Sequence, residues 1–231
     1  MTTDFITIII SRYNEDLNWT KEYPFNKFKY IVYNKGPNEN FHKEFVDKII
    51  TLDNVGRCDH TYLHHIIENY DNLSDIQVFL PGSTGDNNNK KCKAHCILSN
   101  IIDSGHKAAY FKSDENRNAI NTLPNFKNFK LSGYAASNKS NLSLNPETKL
   151  FFSSLRPLGS WFRYHFGDVY ISNISYQGVF SIDKRDILQH PKCFYEKIIK
   201  DVSSHSNPEA GHYIERSWAA IFGPFTYTNI I

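Results

Sequence analysis

Apolar residues along the chain gather in short continuous runs rich in β-branched side chains, and polar turns separate the runs. The clearest are Phe5 to Ile10 (FITIII), Phe28 to Tyr33 (FKYIVY) and Ile76 to Leu80 (IQVFL). Such runs, lacking polar alternation, predict strands buried on both faces. Lys48 to Leu52 reads as a further short strand. Between the strands the period changes: Tyr62, Leu63, Ile66, Ile67 and Tyr70 follow helical spacing, with Asp59 placed to cap that helix and Asn69 to Asn72 to stop it. The polar turn Ser11 to Asp16 is expected to lead into a helix through Trp19. Strands alternating with helices in this way predict an α/β fold, with a mostly parallel central sheet and helices on both faces.

The second half is less regular. From about Asp114 to Lys149 the chain is rich in Asn, Ser, Lys and Pro without a clean period, and long loops are expected there. Order resumes at Trp161 to Tyr164. Tyr176 to Ile182 reads as a strand, and Pro191 to Val202 and Pro208 to Phe222 as helices. A length of 231 residues suits one domain.

Composition narrows the partners. The 26 basic and 24 acidic side chains leave a net charge of only +2, so a nucleic-acid partner is not expected. The basic cluster Lys90, Lys91 and Lys93 reads as a solvated loop. No apolar run approaches the roughly 20 residues that span a bilayer, and the start of the chain lacks the features of a signal peptide. The 4 cysteines make no disulfide framework for a chain this long. A reducing, cytoplasmic setting is the expectation.

Candidate chemistry collects where strands end. Arg12, Asn14, Asn34, Lys35, Arg57, Ser83 and Asp86 all lie just after a strand or just before a helix, and open α/β sheets bind ligands along that edge. Neither G-x-x-x-x-G-K-[ST] nor G-x-G-x-x-G is present, which argues against an ATPase or a dinucleotide dehydrogenase. Asn54-Val55-Gly56-Arg57 before a helix is either a phosphate-binding turn or an ordinary capped one. Cys92 and Cys96 with His95 offer too few ligands for a zinc site, and the two thiols read as the buried side of a helix. His60, His64 and His65 lack the H-E-x-x-H arrangement and read as capping or packing residues. Asp86, in Ser83-Thr84-Gly85-Asp86, can hold a divalent cation or simply form a turn. Near the end, Glu209, His212 and Arg216 share one helix face, and Glu215 and Trp218 another. Glu209 and His212 can supply a general base, a metal ligand or a clamp on a hydroxyl, or serve helix-face ion pairing. Trp161, Tyr164 and Trp218 can stack on a sugar ring or pack in the core.

Taken in order, Ile8 to Asp16, Tyr33 to Gly36, Asn54 to Arg57 with Thr61 to Tyr70, Val78 to Leu80, Gly178 to Ser181 and Glu215 to Trp218 resemble the GT-A-type nucleotide-sugar glycosyltransferases. Among these are the first domain of the chlorella-virus enzyme that builds capsid glycans and a family of uncharacterised domains in fungi, bacteria and large DNA viruses. The resemblance implies a single Rossmann-like GT-A domain over residues 1–231, with a nucleotide-binding part at about 1–112 and an acceptor-side part at about 113–231. It implies a nucleoside-diphosphate sugar donor, expected to be a UDP-sugar, a glycan or glycoprotein acceptor, Mn²⁺ or Mg²⁺, and host cytoplasm if the chain is viral. Ser11, Arg12, Asn14 and Asn34 would then lie against base and ribose, and Asn54, Arg57 and Ser83 near the nucleotide or diphosphate. Asp86 would hold the metal, and Glu209 would face the sugar, with Arg57 beside it in catalysis. The family's D-x-D is incomplete here, with one acid where two are expected. A non-catalytic carbohydrate- or nucleotide-binding module and a nucleotidyltransferase are the alternatives.

Overall fold

The computed structural model describes residues 5–114, 126–132, 149–169 and 173–231. Most of the irregular stretch from 114 to 149 therefore lies outside the described residues. Five strands form the central sheet: β1 (Ile6–Arg12), β2 (Tyr30–Asn34), β3 (Val46–Thr51), β4 (Ile76–Pro81) and β6 (Phe180–Asp183), in the order β3-β2-β1-β4-β6. The first four are parallel and β6 runs antiparallel to β4. A small second sheet joins β5 (Tyr110–Phe111) to β7 (Asn229–Ile230). The helices are α1 (Arg57–Glu68), α2 (Asn88–Asp103), α3 (Leu158–Phe166), α4 (Lys184–Ile187), α5 (Lys192–Ile199) and α6 (Glu209–Ile221). Among the described residues, no helix is long and apolar enough to cross a membrane.

Each buried strand feeds two cores because successive side chains point to opposite faces. Ile9, Tyr33, Phe79, Phe180 and Ile182 pack under α1, α3, α5 and α6. Ile8, Ile10, Tyr30, Val32, Val78 and Leu80 pack against α2 and the turns around Leu17, Trp19 and Phe25. Two-sided burial is what the unbroken apolar runs foretold. Each fully buried aromatic, such as Phe79 or Phe180, contributes roughly 2–3 kcal/mol.

Three local expectations need correction. The segment through Trp19 forms 3-10 turns, Asn18–Lys21 and Phe25–Lys27, not an α-helix. Asp16 Oδ1 accepts from Asn18 N at 2.8 Å, Leu17 takes a left-handed φ of 57°, and Pro24 prevents continuation. Asp59 does not cap α1. Gly56 does, at φ 60°, and the helix begins at Arg57, itself left-handed at φ 55°. The thiols do not line the buried side of α2. Cys92 is exposed and Cys96 partly so, while Lys93, Ala94, Ile97, Leu98 and Ile101 face inward. The three lysines are thus on a helix, and only part of that cluster is solvated.

Side-chain bonds tie α1 to the sheet. Ser11 Oγ meets Thr61 Oγ1 at 2.9 Å, and Tyr62 OH donates to Gly178 O at 2.9 Å. Tyr33 OH meets His65 Nδ1 at 2.9 Å, and His65 Nε2 meets Gln77 Oε1 at 3.0 Å. Burial lowers the His65 pKa to about 4, so the ring is neutral, donating to Gln77 and accepting from Tyr33. His65 is a packing histidine, as its spacing suggested.

Candidate functional site

The chain runs from β1 outward to β2 and β3, then returns to β4 on the other side of β1, so strand order reverses between β1 and β4. Loops at the carboxyl ends diverge at such a point and leave a crevice. At the end of β1, Arg12 is only 1% exposed. Its Nε donates to Glu15 O at 2.8 Å, its Nη1 to Asn34 Oδ1 and Asn38 O, both at 2.7 Å, and its Nη2 to Asn38 Oδ1 at 2.9 Å. Asn34 Nδ2 donates to Asn38 O and Asn38 Nδ2 to Asn14 Oδ1, each at 2.9 Å. Arg12, Asn14 and Asn34 are therefore brought together, bonded to one another through Asn38. As placed, they brace the loops after β1 and β2. Gly36 shows how close those loops lie: a Cβ there would sit 1.4 Å from Tyr13 O.

Ser11, next to last in β1, meets Thr61 one turn inside α1, so Arg57 at the helix start stands beyond the sheet edge. Lys35 holds this start in place. Its Nζ donates to Val55 O and, at 2.5 Å, to Arg57 O. These bonds fix the two successive left-handed residues Gly56 and Arg57. Desolvation lowers the Lys35 pKa to about 8, with Cys58 and Asp59 opposing. Arg57 Nη1 meets His212 Nε2 at 3.2 Å. Burial, then Arg57, then Arg216 hold the His212 pKa down to about 3, so its ring is a neutral acceptor for the guanidinium.

Beneath Arg57 lies Asp59, 3% exposed. Desolvation and then Glu215 raise its pKa to about 7, against Arg57 and Trp218. Trp218 Nε1 is close enough to favour the carboxylate, yet neither it nor Asp59 Oδ1 reaches hydrogen-bonding geometry. Glu215 is more open, its side chain 24% exposed; Oε1 accepts from Gln177 N at 2.7 Å and Oε2 lies 3.5 Å from Arg216 Nη1. Gln177 and Gly178, with φ of 71° and 65°, turn into β6 above the β4 end. That turn shortens the strand expected from Tyr176.

After β4 the 3-10 turn Gly82–Asp86 leads into α2. Ser83 Oγ accepts from Lys90 Nζ at 2.8 Å. Asp86 is exposed, and among the described residues no group of three or more His, Cys, Asp or Glu is placed to hold a metal ion. The donor set does not fit the expected Mn²⁺ or Mg²⁺: the carboxylate that comes up to Gly82, that of Glu15, already has its Oε2 accepting from Tyr13 N at 2.7 Å and Asn14 N at 3.0 Å, and an ammonium faces Ser83. Lys93 is 4% exposed and paired with Asp114 Oδ2 at 2.5 Å, and it also donates to Tyr176 O at 3.0 Å.

Glu209 opens α6 fully buried. Its Oε1 accepts from Leu131 N at 2.8 Å and its Oε2 from Ser153 N at 3.1 Å. Arg156 Nε lies 2.8 Å from Oε2, outside hydrogen-bonding angles. As placed, Glu209 clamps the segments at Leu131 and Ser153 to the helix. Sugar stacking by Trp161 and Trp218 is ruled out, because both are 0% exposed within the aromatic core. Tyr164 is exposed, its ring 4.1 Å from Lys197 Nζ. Asn54 lies two residues before Gly56, partly exposed.

The sequence marked Arg57 and Ser83 but passed over Asn38, the clamping role of Lys35, and Lys90. A cation directly after β2 and another in the first turn of α2 were the available signals for the two lysines. Residues 8–116 match a family model described as a protein of unknown function (DUF3431). No curated protein and no solved structure matches the chain.

Proposed function

We propose that the chain is a glycosyltransferase that moves a sugar from a nucleoside-diphosphate sugar, with a UDP-sugar as the expected donor, to a hydroxyl of a glycan or glycoprotein. The observation that carries this reading is the gathering of Arg57, His212, Glu215 and Lys90 beyond the carboxyl edge, where strand order reverses. In the reaction the acceptor oxygen forms a bond to the anomeric carbon as the bond to the diphosphate breaks. Negative charge grows on the departing phosphate. Arg57, at the positive end of α1, opposes that charge. His212 stays neutral and orients the guanidinium. Glu215 is the solvent-reaching carboxylate of the cluster, and it orients the acceptor hydroxyl and takes its proton. Arg12, Asn14 and Asn34 tie the loops after β1 and β2 together into the wall that the base and ribose would lie against.

A non-catalytic binding module is the second reading, favoured by the sealed position of Glu209. Incubation with a panel of sugar nucleotides separates the two. Release of nucleoside diphosphate, reduced by about 10²-fold or more in Arg57→Ala, is the expected result. Binding without release would establish the module instead, and release of pyrophosphate would indicate nucleotidyl transfer.

A further inference from the structure

We infer that this site holds the diphosphate of its ligand with protein cations, Lys90 and Arg57 positioned by Lys35, and not through a bridging divalent ion. The inference rests on the nucleotide-sugar reading above and specifies how that site meets its most highly charged group.

The argument begins at the turn after β4. A divalent ion bridging protein to diphosphate needs oxygen ligands, above all carboxylates. The turn Gly82–Asp86 has a single acid, Asp86, which is exposed at its far end. The nearer polar group, Ser83 Oγ, is bonded to the Lys90 ammonium at 2.8 Å. An ammonium is a compact positive charge with three donors, and it needs no carboxylate cage. It supplies, from the first turns of α2, the charge that the incomplete acidic motif cannot recruit.

Other cations converge from across the crevice. Lys90 meets Ser83 just past the end of β4, and Arg57 stands one turn before Thr61, which is bonded to Ser11 in the neighbouring strand β1, so the two cations flank adjacent strand ends. Lys35 is bonded to the carbonyl of Arg57 and adds a third positive charge next to it. The acids facing this locus are Asp59, Glu215 and Glu15, the last set against the Arg12 guanidinium. Asp59 is driven toward its neutral form by burial and by Glu215, and Glu215 is shared with Arg216. His212 is held neutral. Lys93 is neutralised by Asp114. Positive charge is therefore in excess at the locus, beside a helix start that also favours anions. Lys and Arg around a diphosphate supply charge-assisted hydrogen bonds directly.

The test is titration of the full chain with UDP and GDP by calorimetry, once with EDTA and once with Mn²⁺. The inference expects one of them to bind with dissociation constants equal within about threefold in the two conditions. Lys90→Ala and Arg57→Ala should each weaken binding about tenfold or more in EDTA, and Lys90→Arg should restore most of it. Melting curves of each variant show that the fold is kept. Binding that disappears in EDTA and returns with Mn²⁺ would overturn the inference while leaving the nucleotide-sugar reading intact. Undiminished binding by Lys90→Ala would also overturn it. If neither nucleotide binds in either condition, the nucleotide-sugar reading fails and takes the inference with it.

Discussion

The buried carboxyl of Asp59 should make the protein less stable as pH rises, and replacing it with Asn should remove that dependence. The residue is 3% exposed, lies among Arg57, Glu215 and Trp218, and is raised from 3.8 to about 7. Between these values the folded protein keeps a proton that the unfolded chain has lost. The unfolded state thus binds fewer protons, and unfolding free energy falls with increasing pH across that window. The full difference corresponds to roughly 4 kcal/mol, less the share taken by Glu215 as the two carboxyls titrate together. Urea unfolding of wild type and Asp59→Asn, followed from about pH 4 to about pH 8, isolates this contribution as the change in their difference. The variant should gain on wild type by up to about 4 kcal/mol, or about 10 °C in melting temperature. Most of the gain should appear below about pH 7. Two stability curves running parallel across the range would refute the reasoning, because Asp59 would then titrate alike in both states.

Two further substitutions test the frame that holds the site. Gly36→Ala should destabilise the fold by about 3 kcal/mol or more, since its Cβ would collide with Tyr13 O. Gly105→Ala, left-handed but with open space around it, should lose only about 1 kcal/mol; equal losses in thermal melts would show that loop contact does not matter. Glu209→Ala should cost about 3–5 kcal/mol in denaturant titration, because Leu131 N, Ser153 N and Arg156 all face its carboxylate. A loss below about 1 kcal/mol would mean that the buried carboxylate is not a clamp.

The strands were legible because burial on both faces writes itself directly as unbroken apolar runs. β1, β2 and β4 fall within about two residues of where FITIII, FKYIVY and IQVFL place them. Helix α6 was legible from its spacing and from the proline before it. The segment near Trp19 was not, because its 3-10 turns follow from the Asp16 side chain and a left-handed Leu17, which leave no periodic trace. The antiparallel direction of β6 depends on pairing with a strand about a hundred residues earlier, which local pattern does not encode. The polar residues of the rim were picked out by type and position. Their division of labour was not, since whether a guanidinium points into the chain, as Arg12 does, or toward His212, as Arg57 does, depends on partners distant in sequence. Lys90 looks like a solvated charge in the sequence because its partner Ser83 is brought to it only when α2 forms.

The bonds from Thr61, Tyr62 and His65 to Ser11, Gly178 and Tyr33 act on α1 as keys in a keyway. They lock the angle of rotation of the helix about its own axis, and with it the bearing of the guanidinium at the first residue. That bearing is set by the rigid sheet and not by the surface segments around the crevice. Those segments can therefore be lengthened, shortened or exchanged while the guanidinium keeps its direction.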